Sequence, residues 1–376
     1  MRTRLSLAAA LAAATLNLAA QAPAPRLISP EVRPDRAVTF RFASPNAREV
    51  FLSLEGAERR PMEKDESGVW TITTPPLDAD LYGYSFVADG IRMLDPMNPL
   101  MKPNLLNPSS MVHVPGPASL PWERSEAPAG TVHHHFYRSQ VAEDERDFFI
   151  YTPPGYDPSQ RRVYPVLYLL HGFSDDASAW TSVGRAHVIL DNLIAQKKAR
   201  PMLVVMPLGY GTMEMVSPAT AGIRDPGLRR RSFEKFRDAL LTEVMPFVEK
   251  NYRASTDRSA RAIAGLSMGG AESLFVGLNA LDRFAWIGAF SSGGLDQDFD
   301  AVFPSLDARA NAQIRLLWIA CGTEDRLIEA NRKMREWLTS KQIRHTPIET
   351  DGGHTWMVWR RNLAAFAPLL FAQSSS

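Results

Sequence analysis

The chain has 376 residues, 45% hydrophobic and 22% charged, which is long enough for two domains and apolar enough for a substantial core. Lys and Arg number 42 against 41 Asp and Glu, and the formal net charge of +1 gives no electrostatic case for nucleic acid or an anionic membrane surface. Cys321 is the single cysteine, so no intrachain disulfide can form and stability has to come from burial.

In chain order, Arg2 and Arg4 precede an Ala/Leu-rich stretch, Leu5 to Ala20, that ends near Ala20-Gln-Ala22. A basic start, an apolar middle and small residues at the end predict a signal peptide over residues 1–22, hence a secreted or periplasmic protein with no membrane contact after cleavage. Residues 26–115 read as all β. Ala37–Phe42, Glu49–Leu54 and Val69–Thr73 alternate, Tyr82–Ala88 continues the pattern, and Asp89-Gly90 is a hairpin turn signal. Short strands separated by turn residues predict a β-sandwich. Asp95 to Asn104 is too proline-rich for regular structure, and a Pro/Gly/Ala-rich linker follows over 116–130.

From 131 to 372 the pattern changes to α/β. A hairpin over Val132–Tyr151 leads into apolar runs at Tyr164–Leu170, Met202–Pro207, Arg261–Ala264, Trp286–Ser291 and Ile314–Cys321. Helical segments such as Ala186–Gln196 and Phe233–Asn251 separate them. Alternating strand and helix predicts a mostly parallel sheet covered on both faces, with its site at the carboxyl ends of the strands.

One of those ends carries chemistry. Gly265-Leu-Ser-Met-Gly269 is a G-x-S-x-G turn set between a buried strand and a helix, where the glycines permit a turn sharp enough to expose the Ser267 hydroxyl. An alcohol of ordinary pKa needs a base, and His354 in Asp351-Gly-Gly-His-Thr-Trp356 is the candidate. A carboxylate should follow a strand between the two; Gly322-Thr-Glu-Asp325 supplies Glu324 and Asp325, and the residues alone leave both open. The order Ser, acid, His is that of the α/β-hydrolases. An oxyanion formed at Ser267 needs preorganised donors. The backbone N–H of Met268 and that of Phe173, in Leu169-Leu-His-Gly-Phe-Ser174, are the candidates, with His171 bracing that loop.

Other residues are read more plainly. His133, His134 and His135 resemble a metal tract, but successive strand residues face opposite ways, so a solvated or partly packed strand is expected. Asp175-Asp176 has the chemistry to bind Ca²⁺, but a surface loop is the expected reading. Trp180, Trp356 and Trp359 could stack on an aromatic acyl group or a sugar, with Trp359 packing beneath the His354 loop. Gly209 to Arg231 fits no pattern and is expected near the site. The chemistry requires no cofactor or metal.

At these motifs the chain resembles the esterase D-like α/β-hydrolases, especially the feruloyl and acetylxylan esterases of carbohydrate esterase family one. The matching pieces are Tyr151-Thr-Pro-Pro-Gly-Tyr156, Tyr168-Leu-Leu-His-Gly-Phe173 with Trp180, and Asp191-Asn-Leu-Ile-Ala195. They continue through Arg261 to Gly270, Gly322-Thr-Glu-Asp325 and Gly352-Gly-His-Thr-Trp-Met-Val-Trp359. The resemblance implies a Ser267, Asp325, His354 triad, so that it favours Asp325 over Glu324; the stacking chemistry of tryptophan makes Trp180 and Trp356 the expected substrate-binding residues. The N-terminal part looks like the immunoglobulin-like early-set domain found before such esterases. The implied substrate is a feruloylated or acetylated polysaccharide, with a siderophore ester as alternative. A reading of another class makes the chain a carbohydrate-binding protein whose β domain offers an aromatic platform from Trp70, Tyr82 and Tyr84; the plainer role is a scaffold that shapes the hydrolase cleft.

Overall fold

The computed structural model describes residues 27–372. The expected signal peptide lies outside the described residues.

The N-terminal module is a sandwich of two antiparallel sheets. One joins strands Glu31–Val32, Val38–Ala43, Val69–Thr73 and Glu63–Lys64 in spatial order. The other runs Arg60–Pro61, Val50–Leu54, Asp80–Ala88, Ser109–Val114 and Met101–Lys102. Phe40 meets Tyr84 with ring centroids 4.6 Å apart, and Phe42 meets Phe86 at 4.7 Å, so alternating aromatics close the sandwich. The Asp89-Gly90 turn forms as expected, with both residues at positive φ (46° and 86°), joining Asp80–Ala88 to Ile91–Met93. The short strand Met101–Lys102 falls inside the stretch read as irregular.

All nine residues of Asp80–Ala88 are buried, although a strand of a free sandwich, with one face to solvent, would alternate. One face serves the sandwich. The other meets the second domain, where Leu81, Met111 and Trp122 join the same buried cluster as Trp180 and Trp356. Trp122 and Glu123 are buried in the stretch read as a linker, and the Asn192 side chain donates to the carbonyls of Pro121 and Glu123. That segment is therefore packed, which composition could not reveal.

The second domain holds an eight-stranded sheet. Its strands are β1 (Thr131–Arg138), β2 (Glu145–Thr152), β3 (Val166–Leu170), β4 (Leu203–Pro207), β5 (Arg261–Leu266), β6 (Trp286–Phe290), β7 (Leu316–Gly322) and β8 (Thr346–Thr350). The spatial order is β1-β2-β4-β3-β5-β6-β7-β8; β1 and β2 are antiparallel to their neighbours and all later pairs are parallel. Strands β3 to β6 are buried at every residue, which is why they read as continuous apolar runs. Helices α1 (Ala186–Ala195) and α5 (Trp356–Phe366) contribute to the core on one face. Helix α2 starts at Pro226, capped by Asp225, and continues through Leu240–Val244 to Asn251; the expected start at Phe233 missed its polar first turns. Helix α3 (Met268–Asn279) follows β5, and α4 (Ile328–Ser340) follows β7. Cys321 is buried in β7, in keeping with a small core residue.

Candidate active site

Ser267 stands at the junction of β5 and α3 with φ 52° and ψ −116°. This conformation is costly for a residue bearing a Cβ, and its neighbours hold it. The Ser267 N–H donates to the Phe290 carbonyl at 2.8 Å, and its carbonyl accepts from Gly293 at 3.0 Å. The flanking glycines are obligatory: a Cβ on Gly265 would lie 2.5 Å from the Gly269 carbonyl, and one on Gly269 would lie 2.4 Å from the His171 oxygen.

Asp325 follows β7, its backbone N–H turned onto the Gly322 carbonyl. Its Oδ1 accepts from the Leu327 N–H at 2.9 Å, which aims the carboxylate. His354 Nδ1 lies 2.8 Å from Asp325 Oδ2, and Nε2 lies 3.0 Å from Ser267 Oγ. Burial opposes ionisation of Asp325, but hydrogen bonding and charge at His354, helped by the Leu327 N–H and the Ser291 hydroxyl, hold its pKa below the ordinary value. With Nδ1 bound to a carboxylate, the proton belongs on Nδ1, and Nε2 is left to accept from the serine. Glu324, the alternative acid, is exposed and gives His354 no hydrogen bond. Trp359 meets the imidazole edge-on at 4.8 Å, beneath the His354 loop as expected, and its indole N–H donates to the Ser291 hydroxyl.

The loop after β3 packs on the nucleophile; a Cβ on Gly172 would lie 3.4 Å from Ser267 Cβ. The N–H groups of Phe173 and Met268 find no acceptor among the described residues, leaving both for a ligand oxygen. His171 is buried. Its Nε2 accepts from the Gly209 N–H at 2.8 Å, so Nδ1 carries the proton toward the Gly172 carbonyl. Burial lowers its pKa and keeps it neutral, a brace for the loop. The unread segment after Gly209 packs here too: the Tyr210 hydroxyl donates to the Asp175 carbonyl, and Met215 and Leu228 cluster with Met268 and Ala271.

The tryptophans divide. Trp180 is 1% exposed, gives its indole N–H to the Leu170 carbonyl and meets Trp356 edge-on. It is core, and the substrate-binding expectation for it is corrected: the side chain that braces the β3 carbonyl has no free face. Trp356 borders the cavity at Ser267 while remaining almost wholly buried. The histidine tract lies on β1, where His134 pairs with Asp147 and His135 with the Tyr252 hydroxyl. No group of three metal-ligating side chains occurs among the described residues.

Both domains build the cavity at Ser267, which has a volume of about 390 Å³. Gly172, Phe173, Asp175, Ser267 and His354 line it from the hydrolase sheet; Glu55, Arg92, Lys102, Asn104 and Asn107 line it from the β module. Glu55 is the pivot. Its carboxylate accepts from the N–H groups of Gly83 and Trp356, both at 2.9 Å, and pairs with Lys102 at 3.4 Å. Burial works against its charge, yet Lys102, the Trp356 N–H and Arg360 outweigh it, and its pKa is lowered. Sequence reasoning missed Glu55 because its partner is 301 residues away. It also misplaced Asp175, which is 5% exposed and faces the cavity, whereas Asp176 caps the turn that follows. The proposed aromatic platform is absent: Trp70, Tyr82 and Tyr84 are all buried.

The esterase family model matches residues 139–370. The chain belongs to the esterase family. Residues 29–98 match carbohydrate-binding module 48, the isoamylase N-terminal domain. An endo-1,4-beta-xylanase/feruloyl esterase of Xylanibacter ruminicola is 27% identical over 91% of this chain and 46% of its own length. The chain spans about half the length of the first curated relatives it matches. A ferulic acid esterase of Anaeromyces mucronatus, also solved with ferulic acid, is 25% identical, with a TM-score of 0.59 over 68% of this chain and 96% of that one. The enterobactin esterase of Shigella flexneri, at 19% identity, has a TM-score of 0.65 over 89% of this chain and 92% of that one, so the shared fold includes the β module.

Proposed function

We propose that this esterase releases feruloyl or related hydroxycinnamoyl groups from plant cell-wall xylan through an acyl-enzyme on Ser267. The observation that carries the reading is the hydrogen-bonded row from Asp325 through His354 to Ser267, opening into a cavity with two unengaged backbone donors. Ser267 Oγ attacks the ester carbonyl carbon while its proton passes to His354 Nε2. The oxyanion sits between the N–H groups of Phe173 and Met268. Collapse expels the sugar alcohol, which takes the proton from His354. Water then gives a proton to His354, attacks the acyl carbon, and frees the acid and the Ser267 hydroxyl.

Relatives described as feruloyl and ferulic acid esterases, one of them joined to a xylanase, support the acyl group and the polysaccharide. Arg92 and Arg326, which have no carboxylate partner among the described residues, line the cavity and favour a catecholate ester as the second reading. The segment 1–22 supports export to the periplasm or beyond. Purified protein offered methyl ferulate, acetylated xylan and a catecholate siderophore ester tests the substrate; turnover of either of the last two alone would overturn the feruloyl assignment.

A further inference from the structure

We propose that Asp175 is a specificity-determining residue, its Oδ2 accepting a hydrogen bond from a hydroxyl group of the bound ester. The inference rests on the ester-hydrolase reading above and names part of the substrate that reading leaves open.

Asp175 ends the loop that carries Phe173, and it lines the same cavity as Ser267 and His354. A Cβ on Gly172 would lie 3.4 Å from Ser267 Cβ and 3.5 Å from Asp175 Oδ2, so nucleophile and carboxyl flank one peptide. The backbone of Asp175 is pinned: its N–H donates to the Gly172 carbonyl and its carbonyl accepts from the Tyr210 hydroxyl. Oδ1 accepts from Asn104 Nδ2 at 3.1 Å, a contact contributed by the β module. No donor reaches Oδ2 among the described residues. A carboxylate has about four acceptor sites, and Oδ2, which is not among the enclosed unpartnered oxygens, opens to the cavity with acceptor capacity that a ligand can fill.

The surroundings choose the ligand. At Oδ2 itself Lys102, facing Asp175 from the β module, disfavours a cationic guest, and Glu55 and Asp176 disfavour an anionic one, although Arg92 and Arg326 line the same cavity. A neutral hydroxyl donor meets neither objection. Burial, with help from Asp176 and Glu55 and against Lys102 and Asn104, pushes the Asp175 pKa up to about 7. Tyr210 stands on the far side and stays protonated, its pKa raised by burial and by Asp175 itself. The acceptor is therefore strongest above neutrality. A hydroxyl can come from the sugar alcohol or from the phenol of the acyl group.

The test compares full-length wild type and Asp175→Asn on three esters: a feruloylated arabino-oligosaccharide, methyl ferulate and methyl 3,4-dimethoxycinnamate, which lacks both kinds of hydroxyl. The expected loss of kcat/KM on the oligosaccharide exceeds that on the dimethoxy ester by about tenfold. The same excess on methyl ferulate assigns the contact to the phenol; its absence there assigns it to the sugar. The wild-type profile on the oligosaccharide should also carry an ionisation near pH 7 that the Asn variant lacks. Asn104→Ala, which unpins the carboxylate without removing it, should rank the substrates in the same order with smaller losses. Uniform losses across the three esters, in variants that melt like wild type, overturn the inference alone. A wild type inert on all three overturns the substrate reading and this inference with it.

Discussion

Glu55, in the β module, accepts the backbone N–H of Trp356, two residues beyond His354 and at the first turn of α5. The hydrogen bond fixes the end of the loop that carries the base to a different domain. Glu55→Ala leaves that N–H and the one at Gly83 unpaired in a part-buried site that borders the cavity, at about 1 kcal/mol each. Activity assays should show kcat falling more than KM rises, because the imidazole is misplaced while the cavity persists. Equal effects on both, or none, would remove the coupling.

Ser267→Ala should reduce ester turnover by roughly 10⁴-fold or more with the melting temperature nearly unchanged, and Asp325→Asn by roughly 10³–10⁴-fold through loss of the productive His354 tautomer. Steady-state kinetics on methyl ferulate and thermal melting measure both. Substantial turnover by the alanine variant would remove the nucleophile assignment.

Glu272 lies on α3, fully buried, with neither carboxyl oxygen hydrogen-bonded among the described residues. Burial raises its pKa well above the ordinary value. The folded protein therefore keeps the acid neutral while the unfolded chain ionises it, so stability contributed at low pH is lost as pH rises. The loss approaches about 1.4 kcal/mol per pH unit until the folded-state pKa is reached. Glu272→Gln is expected to be more stable than wild type at neutral pH and above, with the gap closing near pH 4. Denaturant melts across that range would show it, and a gap independent of pH would contradict it.

Arg360 is wholly buried at the domain junction. It donates to Asp80 Oδ1 at 2.8 Å and to the carbonyls of Val183 and Leu81. Arg360→Ala removes the closer of two arginines from Asp80, leaving Arg361 at 3.8 Å, and should cost about 3–5 kcal/mol, whereas pairing Arg360→Met with Asp80→Leu should cost less than the single change. Chemical denaturation of the three variants decides it; a double variant as unstable as the single one would refute the account.

What could be read from the residues had local causes. The glycines round Ser267, the turn at Asp89-Gly90 and the apolar runs of β3 to β7 each answer to a constraint within a few positions of chain. The elements missed were set by distant packing. β8 is half exposed and lacks the apolar signature of its neighbours. Trp180 has the chemistry of a stacking platform, but its burial depends on α5 arriving over it from the C-terminus. Asp175 looked like loop surface because the wall that covers it comes from another domain. The composite cavity is the least legible feature, since none of its β-module residues forms a motif.

The strand Asp80–Ala88, covered on both sides, changes how the molecule can be handled. A tethered accessory can be clipped off or transplanted, but this one shares its underside with the catalytic half. A shortened protein starting at 131 would bare Trp180's neighbours to solvent and lose one flank of the cleft. Engineers seeking a new substrate should therefore mutate across the seam between the two halves and keep the pair as one unit.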